Sequence, residues 1–260
     1  MHKTYSDQFI DVPGGNIFVR RWKQGAGTPI ILLHDSLGSV ELWRGFPEAL
    51  AAALGREVIA YDRLGFGKSS PRSDKLTINF IREEGEIYFK ALKEALGIKN
   101  FALFGHSVGG GMAVVIASIY RDECEGVISE SAQAFIEPFT LEGIRKAKKQ
   151  FENPNYFAKL EKLHGTKAEW VLDAWTESWL APEFRDWTLD EHLKLVKCPI
   201  LAIHGEYDEF GSYEFPKRIV KLAGGPAEQA LISKCGHVPH REKKEEIIKL
   251  TAGFLGRDKK

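Results

Sequence analysis

The chain has 260 residues, of which 43% are hydrophobic and 28% charged, a balance ordinary for one large globular domain or two small ones. Lys plus Arg equals Asp plus Glu at 36 each, so no net field draws the chain to nucleic acid or to an acidic membrane surface, and a small-molecule partner fits better. The three cysteines, Cys124, Cys198 and Cys235, are odd in number and form no C-x-x-C pair, which argues against a disulfide framework or a zinc site and for a reducing compartment.

The first ten residues, "MHKTYSDQFI", contain no apolar leader, and no stretch approaches the ~20 apolar residues that cross a bilayer. A soluble, cytoplasmic protein without a membrane contact is expected. Short Val- and Ile-rich runs at 9–12, 16–22, 30–33, 58–60, 101–104, 126–128 and 200–203 read as strands. Helical stretches fall between them at 47–54, closed by Gly55, at 78–96, closed by Gly97, and at 108–120. Alternating strands and helices predict a mostly parallel sheet with helices on both faces. The first two strands are joined by "PGG", a hairpin that adds an antiparallel N-terminal edge.

From 132 to 190 the alternation stops, and irregular helices are interrupted by Pro138, Pro154 and Pro182. Four of the six tryptophans lie here: Trp170, Trp175, Trp179 and Trp187. They either fix small helices to the main body or line an apolar pocket, and pockets favour seams between substructures. Trp170, Trp175 and Trp179 are the candidate substrate-binding residues. The pattern then resumes with "CPILAIHG", "QALIS" and an amphipathic stretch at 243–254. One α/β core (1–131 and 191–260) carrying a helical insertion (132–190) explains this better than two sequential domains. The basic runs "RKAKK" and "GRDKK" read as a solvated face and a tail.

"LFGHSVGGG" sets Ser107 between a predicted strand and a predicted helix in the pattern G-x-S-x-G. A tight strand-to-helix turn strains the serine backbone, and flanking glycines leave room for the neighbouring chain. A serine hydroxyl is a poor nucleophile near neutral pH and needs a base, usually a histidine oriented by an acid. His237, in the loop after the last predicted strand, is the first choice of base, and His240 the second. His34 and His106 adjoin strand ends and read as structural. Asp208, just after the strand at 200–203, is the first choice of acid, with Glu206, Glu209 and Glu130 as substitutes. The turn at 34–39, Ser107, Asp208 and His237 all follow predicted strands, which places them along one edge of a parallel sheet.

The elbow "GHSVG", the early "HDSLGS", the segment "YDRLGFGKSS", the order Ser–Asp–His and the late insertion resemble the α/β-hydrolase superfamily over nearly the whole chain. The resemblance implies Ser107 as nucleophile, His237 as general base and acid, Asp208 as its orienting partner and a lid at 132–190. It also implies the backbone N–H groups of Val108 and Ser36 as oxyanion donors. A carboxylesterase of small to medium acyl size is the first reading, and a carbon–carbon bond hydrolase of aromatic ring-cleavage products the second. A ligand receptor on the same fold is a third. A Ser nucleophile speaks against dehalogenases and epoxide hydrolases, and "HDSLG" in place of "HGGPG" against prolyl iminopeptidases.

"GFGKSS" imitates the end of a phosphate-binding loop, but the required first glycine falls at Asp62. No metal-ligand spacing is visible and no cofactor is expected. Cys235 reads as a buried bystander.

Asp35 stands where many members of the family have glycine. Two unit negative charges ~4 Å apart repel by about 4 kcal/mol at an effective dielectric of 20, roughly a thousandfold in rate. The Ser36 N–H is therefore expected to face the site while the Asp35 carboxylate turns aside to turn N–H groups or to Arg63.

Overall fold

The computed structural model describes residues 4–256. Eight strands form one sheet: β1 (Ser6–Val12), β2 (Gly15–Trp22), β3 (Gly27–Leu33), β4 (Arg56–Tyr61), β5 (Phe101–His106), β6 (Cys124–Glu130), β7 (Ile200–Gly205) and β8 (Ala227–Ile232). Their spatial order is β1-β2-β4-β3-β5-β6-β7-β8. β1 and β2 form the expected hairpin, with Val12 opposite Gly15, and β2 also runs antiparallel to β4. The remaining ladders are parallel. The C-terminal ends of β3, β5, β6, β7 and β8 therefore share one edge.

Both faces of this sheet are covered, and β5 and β7 are buried along their whole length. Along β3, Ile31 and Leu33 join one apolar cluster while Ile30 and Leu32 join the other. On β5, Phe101 and Leu103 alternate in the same way with Ala102 and Phe104. A strand buried on both faces reads as a continuous hydrophobic run.

The helices are α1 (Phe46–Leu54), α2 (Phe80–Glu83), α3 (Phe89–Ala95), α4 (Val108–Ile119), α5 (Pro138–Gln150), α6 (Pro154–His164), α7 (Ala168–Trp179), α8 (Asp190–Leu195), α9 (Glu214–Leu222), α10 (Pro239–Glu242) and α11 (Lys244–Leu255). Gly55 ends α1 in the left-handed conformation that a side chain would strain. The helix expected at 78–96 is broken: a π turn at Glu84–Tyr88 separates α2 from α3. There Glu84 is buried and accepts the Tyr61 hydroxyl at 2.6 Å. Gly85 is the one local mark of that break, and the Tyr61 contact comes from 23 residues away.

Helices α5 to α8 fill the gap between β6 and β7. They are tied to the core by buried polar contacts as well as by apolar packing. His164 at the end of α6 accepts the Gly67 N–H at its Nδ1 (2.9 Å) and donates from Nε2 to the Leu37 carbonyl (3.0 Å). Lys167 donates to the carbonyls of Phe66, Gly67 and Ser69. The "GFGKSS" loop thus turns carbonyls toward a cation, the opposite of an anion cradle. Of the two basic runs, 145–149 lies on α5, and the other lies outside the described residues apart from Gly256. No helix among the described residues is long and apolar enough to cross a membrane.

Candidate functional site

β5 ends at His106 and α4 begins at Val108, so Ser107 alone makes the turn, at φ 56° and ψ −124°. A non-glycine residue held there costs of order 1–3 kcal/mol. Hydrogen bonds fix it: its N–H donates to the Glu130 carbonyl and its own carbonyl accepts the Gly110 N–H, both at 2.8 Å. The flanking glycines are steric necessities. A Cβ on Gly105 would lie 2.0 Å from the Gly109 oxygen, and one on Gly109 would lie 2.2 Å from the Leu33 oxygen.

Asp208 follows β7, and its carboxylate accepts the Phe210 N–H at 2.8 Å. The same carboxylate receives His237 Nδ1 at 2.8 and 2.9 Å. Nδ1 therefore carries the proton, which leaves the Nε2 lone pair free. Burial disfavours the Asp208 charge, but His237, His204 and the Phe210 N–H outweigh it and hold the carboxyl below its usual range. The Phe210 ring meets the imidazole edge-on at 4.9 Å.

Ser36, Ser107 and His237 line one cavity of about 720 Å³, walled mainly by apolar side chains that include Phe139, Trp175, Trp179 and Phe210. The hydrogen bonds of the described residues do not include one from the Ser107 hydroxyl to His237. Such bonds are commonly long before substrate arrives. Neither the Ser36 N–H nor the Val108 N–H donates to another described residue, and Val108 opens a helix whose first N–H groups point outward.

The structure separates the three tryptophans. Trp175 and Trp179 line the cavity, but Trp170 does not. It donates from Nε1 to the Asp74 carbonyl at 3.0 Å and packs edge-on against Phe66, over Gly65. Helical geometry explains this: at 100° per residue, Trp175 and Trp179 lie about 40° apart around α7, whereas Trp170 lies about 140° from Trp175. Residues not anticipated also line the cavity: Phe210, Gln133 and Arg241. Gln133 lies three residues past the end of β6, so the strand-end rule could have found it.

The substitutes considered for acid and base, Glu130 and His240, meet each other at 2.5 Å in the interior. Glu206 is occupied on the surface by Ser233 and the Lys234 N–H, while Glu209 lines the cavity. His34 has a structural role, as its position suggests: Nδ1 donates to the Asp35 carbonyl and Nε2 accepts the Arg63 N–H. Burial pushes the Cys235 thiol up to about 12, so it carries no reactive thiolate.

Asp35 borders the cavity, with its oxygens turned on two other groups. Oδ1 accepts the Leu37 N–H at 2.8 Å, as expected for a turn donor. Arg63 is not the second partner. Its guanidinium lies over the Phe66 ring and donates to the Asp35 backbone carbonyl. The second partner is His106, whose Nδ1 stands 3.4 Å from Oδ2. Burial opposes the Asp35 charge, yet His106 and the Leu37 N–H hold the carboxyl well below its usual range.

His106, Glu130 and His240 each bring one ligand-type atom to within 4.8 Å of the others, a spacing that suits a cation. His106 lies between Asp35 and the His237 carbonyl, and within the trio His240 Nδ1 is held by Glu130 Oε2, while Glu130 Oε1 has no hydrogen-bond partner among the described residues. A His106 ring that donates to both of its neighbours would have no lone pair to offer a metal.

A serine on a glycine-flanked elbow, at the C-terminal edge of a mostly parallel sheet, defines the α/β-hydrolase class. The family model described as alpha/beta hydrolase fold matches residues 28–244, and the chain belongs to that family. It is 25% identical over 266 residues to a proline iminopeptidase of Lactobacillus crispatus, covering 88% of this chain and 90% of that one. It is 24% identical over 260 residues to a 2-hydroxy-6-oxo-6-phenylhexa-2,4-dienoate hydrolase of Comamonas testosteroni, covering 89% of this chain and 88% of that one. A thermophilic esterase from Thermogutta terrifontis has a similar structure, with a TM-score of 0.74 at 20% identity, covering 97% of this chain and 98% of that one.

Proposed function

We propose that this protein is a serine hydrolase that cleaves carboxylic esters of small to medium acyl size through an acyl-enzyme. One observation carries the reading: a serine on a left-handed elbow and an imidazole held by a carboxylate face the same largely apolar cavity. His237 Nε2 takes the Ser107 proton as Oγ attacks the ester carbonyl. The oxyanion settles on the N–H groups of Ser36 and Val108, and the imidazolium gives its proton to the leaving alcohol. Water activated by the same imidazole then breaks the acyl–Oγ bond and releases the acid. The helices of the insertion act as a lid, with Trp175 and Trp179 against the acyl chain.

Two relatives support other leaving groups. The Comamonas testosteroni enzyme supports a carbon–carbon bond beside a ketone. The Lactobacillus crispatus enzyme supports an amino-terminal prolyl substrate, for whose amine Glu209 is one of the acids lining the cavity. The turn at 34–39 lacks the "HGGPG" pattern associated with that activity.

A single panel separates them: p-nitrophenyl esters from acetate to octanoate, a thioester, a vinylogous ketone and a prolyl anilide. Steady turnover is expected to be fastest on an ester, and Ser107→Ala is expected to lose about 10⁴-fold or more. A higher kcat/KM on the anilide or the ketone would move the assignment to that chemistry. At most one slow turnover per chain would make the protein a receptor, and full activity without the Ser107 hydroxyl would remove the nucleophile.

A further inference from the structure

His106 occupies the position just before the elbow serine, and both its ring nitrogens face acceptors. Nε2 lies 2.8 Å from the backbone carbonyl of His237, and Nδ1 lies 3.4 Å from the Asp35 carboxylate. A ring between two acceptors satisfies both only as an imidazolium. The bridge therefore joins the turn that carries the Ser36 N–H to the main chain of the base. We propose that His106 is a positioning residue: its imidazolium neutralises Asp35 beside the oxyanion donors and holds the His237 backbone, so that losing its proton slows hydrolysis. This rests on the hydrolase reading above.

The surroundings support the charge. Burial opposes it, but Asp35, Glu130 and the His237 carbonyl together raise the His106 pKa to about 9. Asp35 reaches it from the loop after β3 and Glu130 from the end of β6. His237 faces it from the loop after β8, with ring centres 5.1 Å apart, and His240 faces it from α10 at 4.9 Å. Burial lowers the His240 pKa, so that ring adds no competing cation at neutral pH. Arg63 and Arg241 act on Asp35 from the loop after β4 and from α10. With His106 neutral, the Asp35 charge faces the developing oxyanion without its nearest counter-ion.

The test is a pH–rate series on the best ester for the wild type, His106→Gln, Asp35→Asn and the double variant, with circular dichroism and melting as fold controls. The wild type should lose kcat/KM through an alkaline limb near 9. His106→Gln can still donate to the His237 carbonyl but carries no charge. It should be slower by about a hundredfold at neutral pH, since a like charge near the oxyanion costs up to about a thousandfold, and should lack the limb. The double variant should recover tenfold or more of that loss, because the unbalanced charge is gone. Asp35→Asn alone should also lack the limb.

A limb persisting near 9 in Asp35→Asn, or a double variant no faster than His106→Gln, overturns the proposal. The Asp35→Asn result decides the matter if His106→Gln does not fold. Imidazole ¹⁵N resonances of the wild type give a readout without activity. His106 should keep both ring protons up to about pH 9 even if no ester is cleaved, which would count against the ester reading and not the ion pair. A neutral ring at pH 7 overturns the pair itself.

Discussion

Two histidine–carboxylate pairs lie side by side in this molecule, with the His106 ring between them. His237 borders the cavity that also holds Ser107, and Asp208 is buried against the His237 Nδ1. His240 and Glu130 are packed behind it, where Trp43 and Phe46 meet the His240 ring at 4.6 and 5.4 Å. Each pair sets a histidine Nδ1 against a buried carboxylate, Asp208 in front and Glu130 behind. They differ in access to the cavity that holds Ser107, which His237 alone of these four residues lines. A polar pair sealed in the interior serves packing and specificity more than chemistry.

Amide substitutions should break the resemblance between the pairs. Asp208→Asn should cut kcat by about 10³–10⁴-fold, because an amide oriented to donate selects the wrong His237 tautomer. Glu130→Gln should change kcat less than tenfold at neutral pH while destabilising the fold by about 1–3 kcal/mol in a urea titration. It should also move the alkaline limb downward, since Glu130 helps hold the His106 proton. Equal losses of kcat in the two variants would mean that the rear pair takes part in the chemistry.

The smallest effect should separate the tryptophans of α7. Trp175→Ala should raise KM for a medium-chain ester by about tenfold, the scale of a partly buried aromatic contact. Trp170→Ala should leave KM unchanged and lower the melting temperature, because its contacts are to Phe66 and the Asp74 carbonyl. A KM effect at Trp170 would place substrate outside the cavity described.

The elbow was legible because its determinants are local: Gly105, Ser107 and Gly109 lie within five residues, between a strand and a helix that periodicity reveals. Asp208 and His237 could be proposed because strand ends of a parallel sheet converge, although 29 residues separate them. The same rule reached Glu130 and His240, which ranked second, but exposure to a cavity is not a property of sequence spacing. Helix α9 and the π turn between α2 and α3 are not among the elements expected from periodicity.

What the sequence determined by itself, then, was the family, the mostly parallel sheet with its antiparallel edge, the break in strand–helix alternation after β6 and the serine turn. These follow from apolar periodicity and from glycine's steric freedom, both encoded within a few residues. Tertiary structure alone decided which tryptophans face the cavity, that Arg63 takes the Asp35 carbonyl and not its carboxylate, and that His106 joins Asp35 to His237. Those pairings span 28 to 131 residues and arise where β3, β5 and the β8 loop come together. A charge's partner is set by the distances that chain packing creates, and no local pattern records them.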